Sequence, residues 1–152
     1  MPKVDIAGVL PVRGVGYPAP FAELSAARIR KRLGEAAGLT DFGVNLTRLP
    51  PGNWSAQRHW HSHEDEFVFV VEGEVVLVED GSETVLTAGQ CAAFPKNSGN
   101  GHHLINRSQG DALYLEIGSR SPDDVITCSD VDMISPSRDG RFLHKDGTPY
   151  EG

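Results

Sequence analysis

A chain of 152 residues fits one hydrophobic core and leaves no room for a second catalytic domain. The formal net charge of -7 argues against a general binder of phosphate backbones, which needs clustered Lys and Arg to displace counterions. Hydrophobic residues at 39%, with 17 Gly and 10 Pro spread along the chain, exclude wholesale disorder and indicate a turn-rich globular protein.

Residues 1 to about 20 contain Pro2, Pro11, Pro18 and Pro20 and read as an extended arm. Nothing at this end resembles an apolar leader, and the longest apolar runs, such as Phe67 to Val71, are too short to cross a bilayer, so a cytoplasmic location is expected. The Ala, Glu, Arg and Leu content of Phe21 to Leu33 favours a short helix ended by Gly34. Arg28, Arg30, Lys31 and Arg32 read as the solvated face of that helix, because neighbouring acidic residues offset them. Neither nucleic acid nor membrane is an expected partner.

From Phe42 the period changes. Val44-Asn45-Leu46-Thr47-Arg48-Leu49 alternates apolar with polar and stops at Pro50-Pro51-Gly52. Further strands are predicted near Gln57 to His61, Glu66 to Val71, Glu74 to Glu79, Glu83 to Leu86, Cys91 to Pro95, His102 to Asn106 and Ala112 to Gly118. Short strands joined by Gly-containing turns, with no helix between them, point to an all-β antiparallel sandwich or barrel. After Ser119 the pattern fades into a polar tail with apolar handholds at Val125-Ile126, Val131, Met133-Ile134 and Phe142-Leu143. The expected organisation is therefore an arm with its short helix over 1–42, a barrel over 43–118 and a mostly irregular tail packing on it over 119–152. Cys91 and Cys128 have neither the number nor the spacing of a disulfide framework and read as reduced thiols.

The chemistry concentrates in Gln57-Arg58-His59-Trp60-His61-Ser62-His63-Glu64-Asp65-Glu66. Residues two apart on a strand share a face, so His59 and His61 aim two imidazoles at one point. A hairpin brings Glu66 alongside them, and Gly101-His102-His103 supplies a third imidazole at the head of another strand. Three neutral imidazoles and one carboxylate leave a divalent ion net positive charge and, at a coordination number of about six, two open positions for substrate or water. His103 points away from His102 if a strand starts there; a shift of one residue in register exchanges them. His63 shares the parity of His59 and His61, but the acidic turn that follows swings it outward.

Gly52, His59-Trp60-His61, Glu66 and Gly73 resemble the first cupin motif, and Gly89, Pro95, His102 and Asn106 resemble the second. Two departures are visible: six residues separate Gly52 from His59 where the motif has five, and Pro95-Lys96-Asn97-Ser98-Gly99-Asn100-Gly101 stands in place of Pro-x-Gly. The resemblance implies a double-stranded β-helix, or jelly-roll barrel, often dimeric. It further implies one divalent metal ion (Fe, Mn, Ni or Zn) on His59, His61, Glu66 and His102. Cupins with that site include isomerases, dioxygenases, decarboxylases and lyases as well as non-catalytic binding and sensing modules, so the fold leaves the activity open.

Trp60, Phe67, Phe69 and Val71 fall on the parity opposite the ligands, as core between layers or as an apolar patch that a second copy covers in a homodimer. His63, Lys96, Tyr114 and Glu116 are candidate acid or base groups near the mouth, with Asn45, Thr47 and Gln57 as polar lumen residues. The expected activity is metal-dependent chemistry on a small polar molecule such as a sugar, keto acid or aromatic acid, isomerase-like or dioxygenase-like. Metal-assisted binding or sensing without catalysis is the alternative, and a second titratable group in the lumen separates the two.

Overall fold

Period-two alternation dominates the chain, and the computed structural model, which describes residues 2–136 and 140–151, is accordingly almost all strand and turn. Among the described residues the strands are β1 (Val12–Arg13), β2 (Ile29–Arg32), β3 (Phe42–Leu49), β4 (His59–His61), β5 (Glu66–Glu72) and β6 (Glu74–Glu79). They continue as β7 (Ser82–Thr87), β8 (Cys91–Phe94), β9 (His103–Ile105), β10 (Ala112–Ser119), β11 (Val125–Cys128) and β12 (Ile134–Pro136).

One six-stranded sheet runs β1-β2-β3-β10-β5-β8, and two three-stranded sheets run β12-β11-β4 and β7-β6-β9. An isolated antiparallel bridge, His59 to His102, joins β4 to the residue before β9 and so ties the two small sheets into a second layer. The result is the jelly roll that the short alternating strands imply. Val68 and Val70 of β5, Tyr114 of β10, Val75 and Leu77 of β6, Leu86 of β7, Phe94 of β8 and Leu104 form a contiguous buried core between the layers. Each large side chain taken from water there contributes about 1.5–3 kcal/mol. No helix among the described residues is long and apolar enough to cross a membrane.

Three expectations change. The helix predicted from Phe21 to Leu33 is instead a 3-10 turn at Glu23–Ser25, strand β2, and a single α-turn at Leu33–Ala36. Pairing of β2 with the edge of β3, Ile29 opposite Arg48 and Arg32 opposite Asn45, overrides the helical propensity of the segment. Gly34 lies inside the α-turn and does not end it; a Cβ there would come 2.9 Å from the Val44 amide nitrogen. Arg28 and Arg30 consequently alternate inward, so the basic cluster is no solvated helix face: Arg28 is only 4% exposed. The tail carries more regular structure than its polarity suggests, because β11 pairs with β4 along His59 to His61 and with β12 on its other side. The arm likewise holds a 3-10 turn at Ile6–Gly8 and the two-residue strand β1.

The residues outside the imidazole set that carry the motif resemblance do structural work. Asn106 is fully buried, donates to the carbonyls of Leu49 (2.7 Å) and Gly110 (2.8 Å), and accepts from the Ser108 amide. Gly73 turns between β5 and β6 at φ 75°, and a side chain there would strike the Asp111 carbonyl. Replacing Asn106 with Ala strands these backbone groups in the interior. The variant should lose about 2–3 kcal/mol of unfolding free energy in urea titration, and an unchanged midpoint would contradict this role.

Candidate functional site

Three imidazoles reach the Glu66 carboxylate because of how β4 and the residue before β9 pair. His59 donates its amide to the His102 carbonyl (3.2 Å) and His102 returns the bond (2.9 Å). Residues that exchange both backbone bonds in an antiparallel pair project side chains to the same face. His61, two residues along β4, shares that face. Glu66 comes from the opposite layer at the start of β5, and its Oε2 lies 2.6 Å from His102 Nε2. Glu66 Oε1 lies 3.9 Å from His59 Nε2 and also meets His61 Nε2, without hydrogen-bond alignment. Ligand atoms of His59, His61 and Glu66 all fall within 4.8 Å of one another.

The surroundings fix which nitrogen His59 and His61 present. His59 Nδ1 pairs with the Gln57 carbonyl at 2.7 Å, leaving Nε2 toward Glu66. His61 Nδ1 pairs with Asp124 Oδ2 at 2.6 Å, and Asp124 Oδ1 accepts the His63 amide. His102 stacks flat on Phe94, with ring centroids 3.6 Å apart, and Phe94 is the strand partner of Glu66. Orienting carboxylates and carbonyls behind imidazoles are the arrangement that metal-ligating histidines require. The buried His61 Nε2, which lacks a hydrogen bond, together with a carboxylate facing three Nε2 atoms, gives a donor set that suits a divalent cation. A second cluster, His61 with Glu64 and Asp124, is wholly buried, but its carboxylates are engaged: Glu64 Oε2 accepts the Ser121 amide and Asp124 holds His61. It serves as the anchor behind the imidazole.

The charges respond accordingly. Burial opposes a charge on His61, yet Asp124 and Glu66 override it and push the group up to about 10. Burial also works against ionised Glu66, and the three imidazoles hold its carboxyl well below the usual range. For His102, burial wins over the Glu66 bond and lowers the pKa.

These groups open on a cavity of ≈ 320 Å³, within the size range of small-molecule sites. Its wall includes Glu116, Tyr114 and Asn45, all anticipated as lumen candidates. Glu116 accepts from Arg30 (2.8 Å) and Thr47 (2.8 Å); burial raises its pKa, and Arg30 and Arg28 lower it further, for a net depression. Tyr114 is fully buried, its hydroxyl beside Ser55 but out of hydrogen-bond geometry, and burial drives its pKa up. His63 is exposed, pairs with the Ser62 hydroxyl and does not line the cavity. Lys96 is exposed too, and Gln57 is buried against Tyr17 and Phe21 outside the lining. His103 faces away from the centre, bonded to the Ala56 carbonyl and edge-on to Trp54.

Sequence reasoning did not find Arg28, Arg30, Arg120 or Asp124. The two-residue spacing of Arg28, Arg30 and Arg32 was the available signal for the first pair, since it is strand parity. Asp124 sits in a polar tail without a pattern, and only the pairing of β11 with β4 brings it to His61.

A cupin-domain family model matches residues 45–118. A sugar phosphate isomerase from a cupin superfamily of Silicibacter pomeroyi is 42% identical over 99% of this chain and 98% of its own, with a TM-score of 0.90. A candidate sugar phosphate isomerase from Acidithiobacillus ferrooxidans is 26% identical over 84% of this chain and 82% of its own, with a TM-score of 0.73. A predicted oxalate decarboxylase from Thermotoga maritima, 20% identical over 77% of this chain and 97% of its own with a TM-score of 0.63, shares the fold. No curated protein matches. The chain belongs to the cupin superfamily.

The Asp124 bond has a measurable consequence in metal-free protein. A folded pKa of about 10 for His61 means that its stabilisation is fully present below its unfolded value of about 6.5 and is lost as pH rises through 10. Asp124→Asn should lower the His61 midpoint in NMR titration. The variant should be less stable than wild type at pH 7, by a margin that shrinks above pH 10. An unmoved midpoint would refute the coupling.

Proposed function

We propose that this protein is a divalent-metal-dependent isomerase of a small sugar-like molecule, with the ion held by His59, His61, Glu66 and His102. The observation that carries this reading is Glu116: a second ionisable group lines the same cavity as the imidazoles, pinned by Arg30 and Thr47. A lumen with only apolar side chains beyond the ligands would have favoured passive binding. The similarity to the Silicibacter pomeroyi sugar phosphate isomerase supports the same class.

Interconversion of an aldose and a ketose moves one proton between adjacent carbons and a second between the two oxygens those carbons carry. Glu116, ionised at neutral pH and on the cavity wall, is the group placed to accept and return the carbon-bound proton; the Arg30 pair that depresses its pKa also lowers its basicity. The bonds from Arg30 and Thr47 fix the carboxylate and hold it against rotation. Val68, Phe94 and Leu104 line the same space and exclude water from it. A bound ion would supply Lewis-acid polarisation of the substrate's carbonyl and hydroxyl oxygens.

Elemental analysis should find one divalent ion per chain and none in His61→Ala, which should also melt at lower temperature. Glu116→Gln should keep the ion and KM but lose about 10²–10⁴ in kcat, read as solvent-deuterium exchange at the carbon next to the carbonyl. Full metal content in His61→Ala would overturn the ligand assignment; undiminished exchange in Glu116→Gln would remove its role.

We also infer that a second copy covers the outer face of the six-stranded sheet. Phe69 (37% exposed) and Val71 (39%) project there, and Leu115, Phe69 and Cys91 stand side by side across three strands. Sedimentation should give twice the chain mass for wild type and a monomer for Phe69→Glu. A monomeric wild type at micromolar concentration would end the idea.

A further inference from the structure

Arg120, just beyond the end of β10, turns its guanidinium over Gly43 of β3, and both residues line the cavity. An ideal Cβ on Gly43 would lie 2.6 Å from Arg120 Cζ, so the arginine occupies space that exists only because position 43 has no side chain. Gly118 is the strand partner of Gly43 on one side and of Glu66 on the other. The row Gly43, Gly118, Glu66 therefore puts the Arg120 guanidinium on the same wall of the cavity as Glu66.

The guanidinium makes only a long ion pair. The Arg120 side chain is 25% exposed, yet its nearest carboxylate, Glu35, is 3.9 Å away and 57% exposed. Among the described residues no acceptor forms a hydrogen bond with it. The other cavity arginines differ: Arg28 donates to the Ser55 and Gly14 carbonyls, and Arg30 donates to both oxygens of Glu116. A partly buried guanidinium on a cavity wall, with five donors and only a distant, exposed carboxylate beside it, can turn several donors to a ligand.

We propose that Arg120 receives the acidic group, phosphate or carboxylate, of the substrate, on the cavity wall that it shares with the proposed metal ligand Glu66. The planar fork of guanidinium matches two oxygens of such a group, which a lysine cannot do. Bound there, the acidic group anchors one end of the molecule and leaves the rest to face Glu66 and Glu116. The inference rests on the reading of this cavity as a substrate site, and its test separates the two.

Calorimetric titration of the full chain, both metal-loaded and metal-stripped, would use inorganic phosphate, ribose 5-phosphate, pyruvate and uncharged ribose. Wild type should bind at least one acidic probe more tightly than ribose. Arg120→Gln should weaken that probe by roughly tenfold or more and leave ribose unchanged, with Arg120→Lys restoring only part of the loss. Gly43→Ala should reproduce the weakening, because the added methyl displaces the guanidinium while every proposed ligand stays in place. Melting curves and metal content establish that each variant folds and holds its ion. Loss confined to phosphate probes, or to pyruvate, identifies the acidic group and supports the proposal either way. Equal affinity of acidic probes for wild type and Arg120→Gln overturns it, as does failure of every acidic probe to bind wild type. Arg120-dependent binding in a protein that never takes up metal would sustain the anion subsite and sink the metal reading instead.

Discussion

The reciprocal backbone hydrogen bonds between His59 and His102 fix where two imidazoles from distant parts of the chain can lie. They also join the two three-stranded sheets, through β4 on one side and the residue before β9 on the other. One contact thus closes a layer of the jelly roll and sets the geometry of the site. His61 follows from strand parity, and Glu66 from the facing layer completes the set.

Around that contact the molecule places ionisable groups where burial alone would neutralise them, and it compensates each with a partner. Glu116 stays ionised between Arg30 and Thr47; His61 is held by Asp124; Glu66 faces three imidazoles. Such pairs do little for net stability, since desolvation offsets most of their attraction. Removing one member leaves a buried charge uncompensated, which costs far more. This asymmetry assigns stability to the apolar core at Val68, Val70, Leu77 and Leu104 and leaves the polar groups to define the cavity.

Segments outside the motif resemblance complete the cavity. Tyr17 of the arm packs on Phe142 of the tail, ring centroids 5.1 Å apart, and both line it. The tail strand β11 brings Asp124 and Cys128 against β4; both Cys128 and Cys91 are free thiols, one buried and one exposed. The long loop in place of Pro-x-Gly is tethered at Asn97, whose amide donates to the His61 carbonyl, and at Lys96, whose amide donates to Asp65.

Strand positions from Phe42 to Ser119, the cavity-facing positions Asn45, Tyr114 and Glu116, and the shared face of His59 and His61 were legible in the amino-acid order. They rest on period-two alternation and glycine turns, which are local properties of the backbone. What escaped that reading depends on contacts between distant segments. The Arg28 to Arg32 stretch has helical composition, and only an open edge on β3 makes it a strand and turns two arginines inward. Asp124 and Arg120 carry no periodic signal, and their roles arise where β11 meets β4 and where the end of β10 passes over Gly43. Sequence determined which residues share a face of a strand, because that follows from covalent geometry; tertiary structure decided which faces meet, because that depends on pairing across the whole chain.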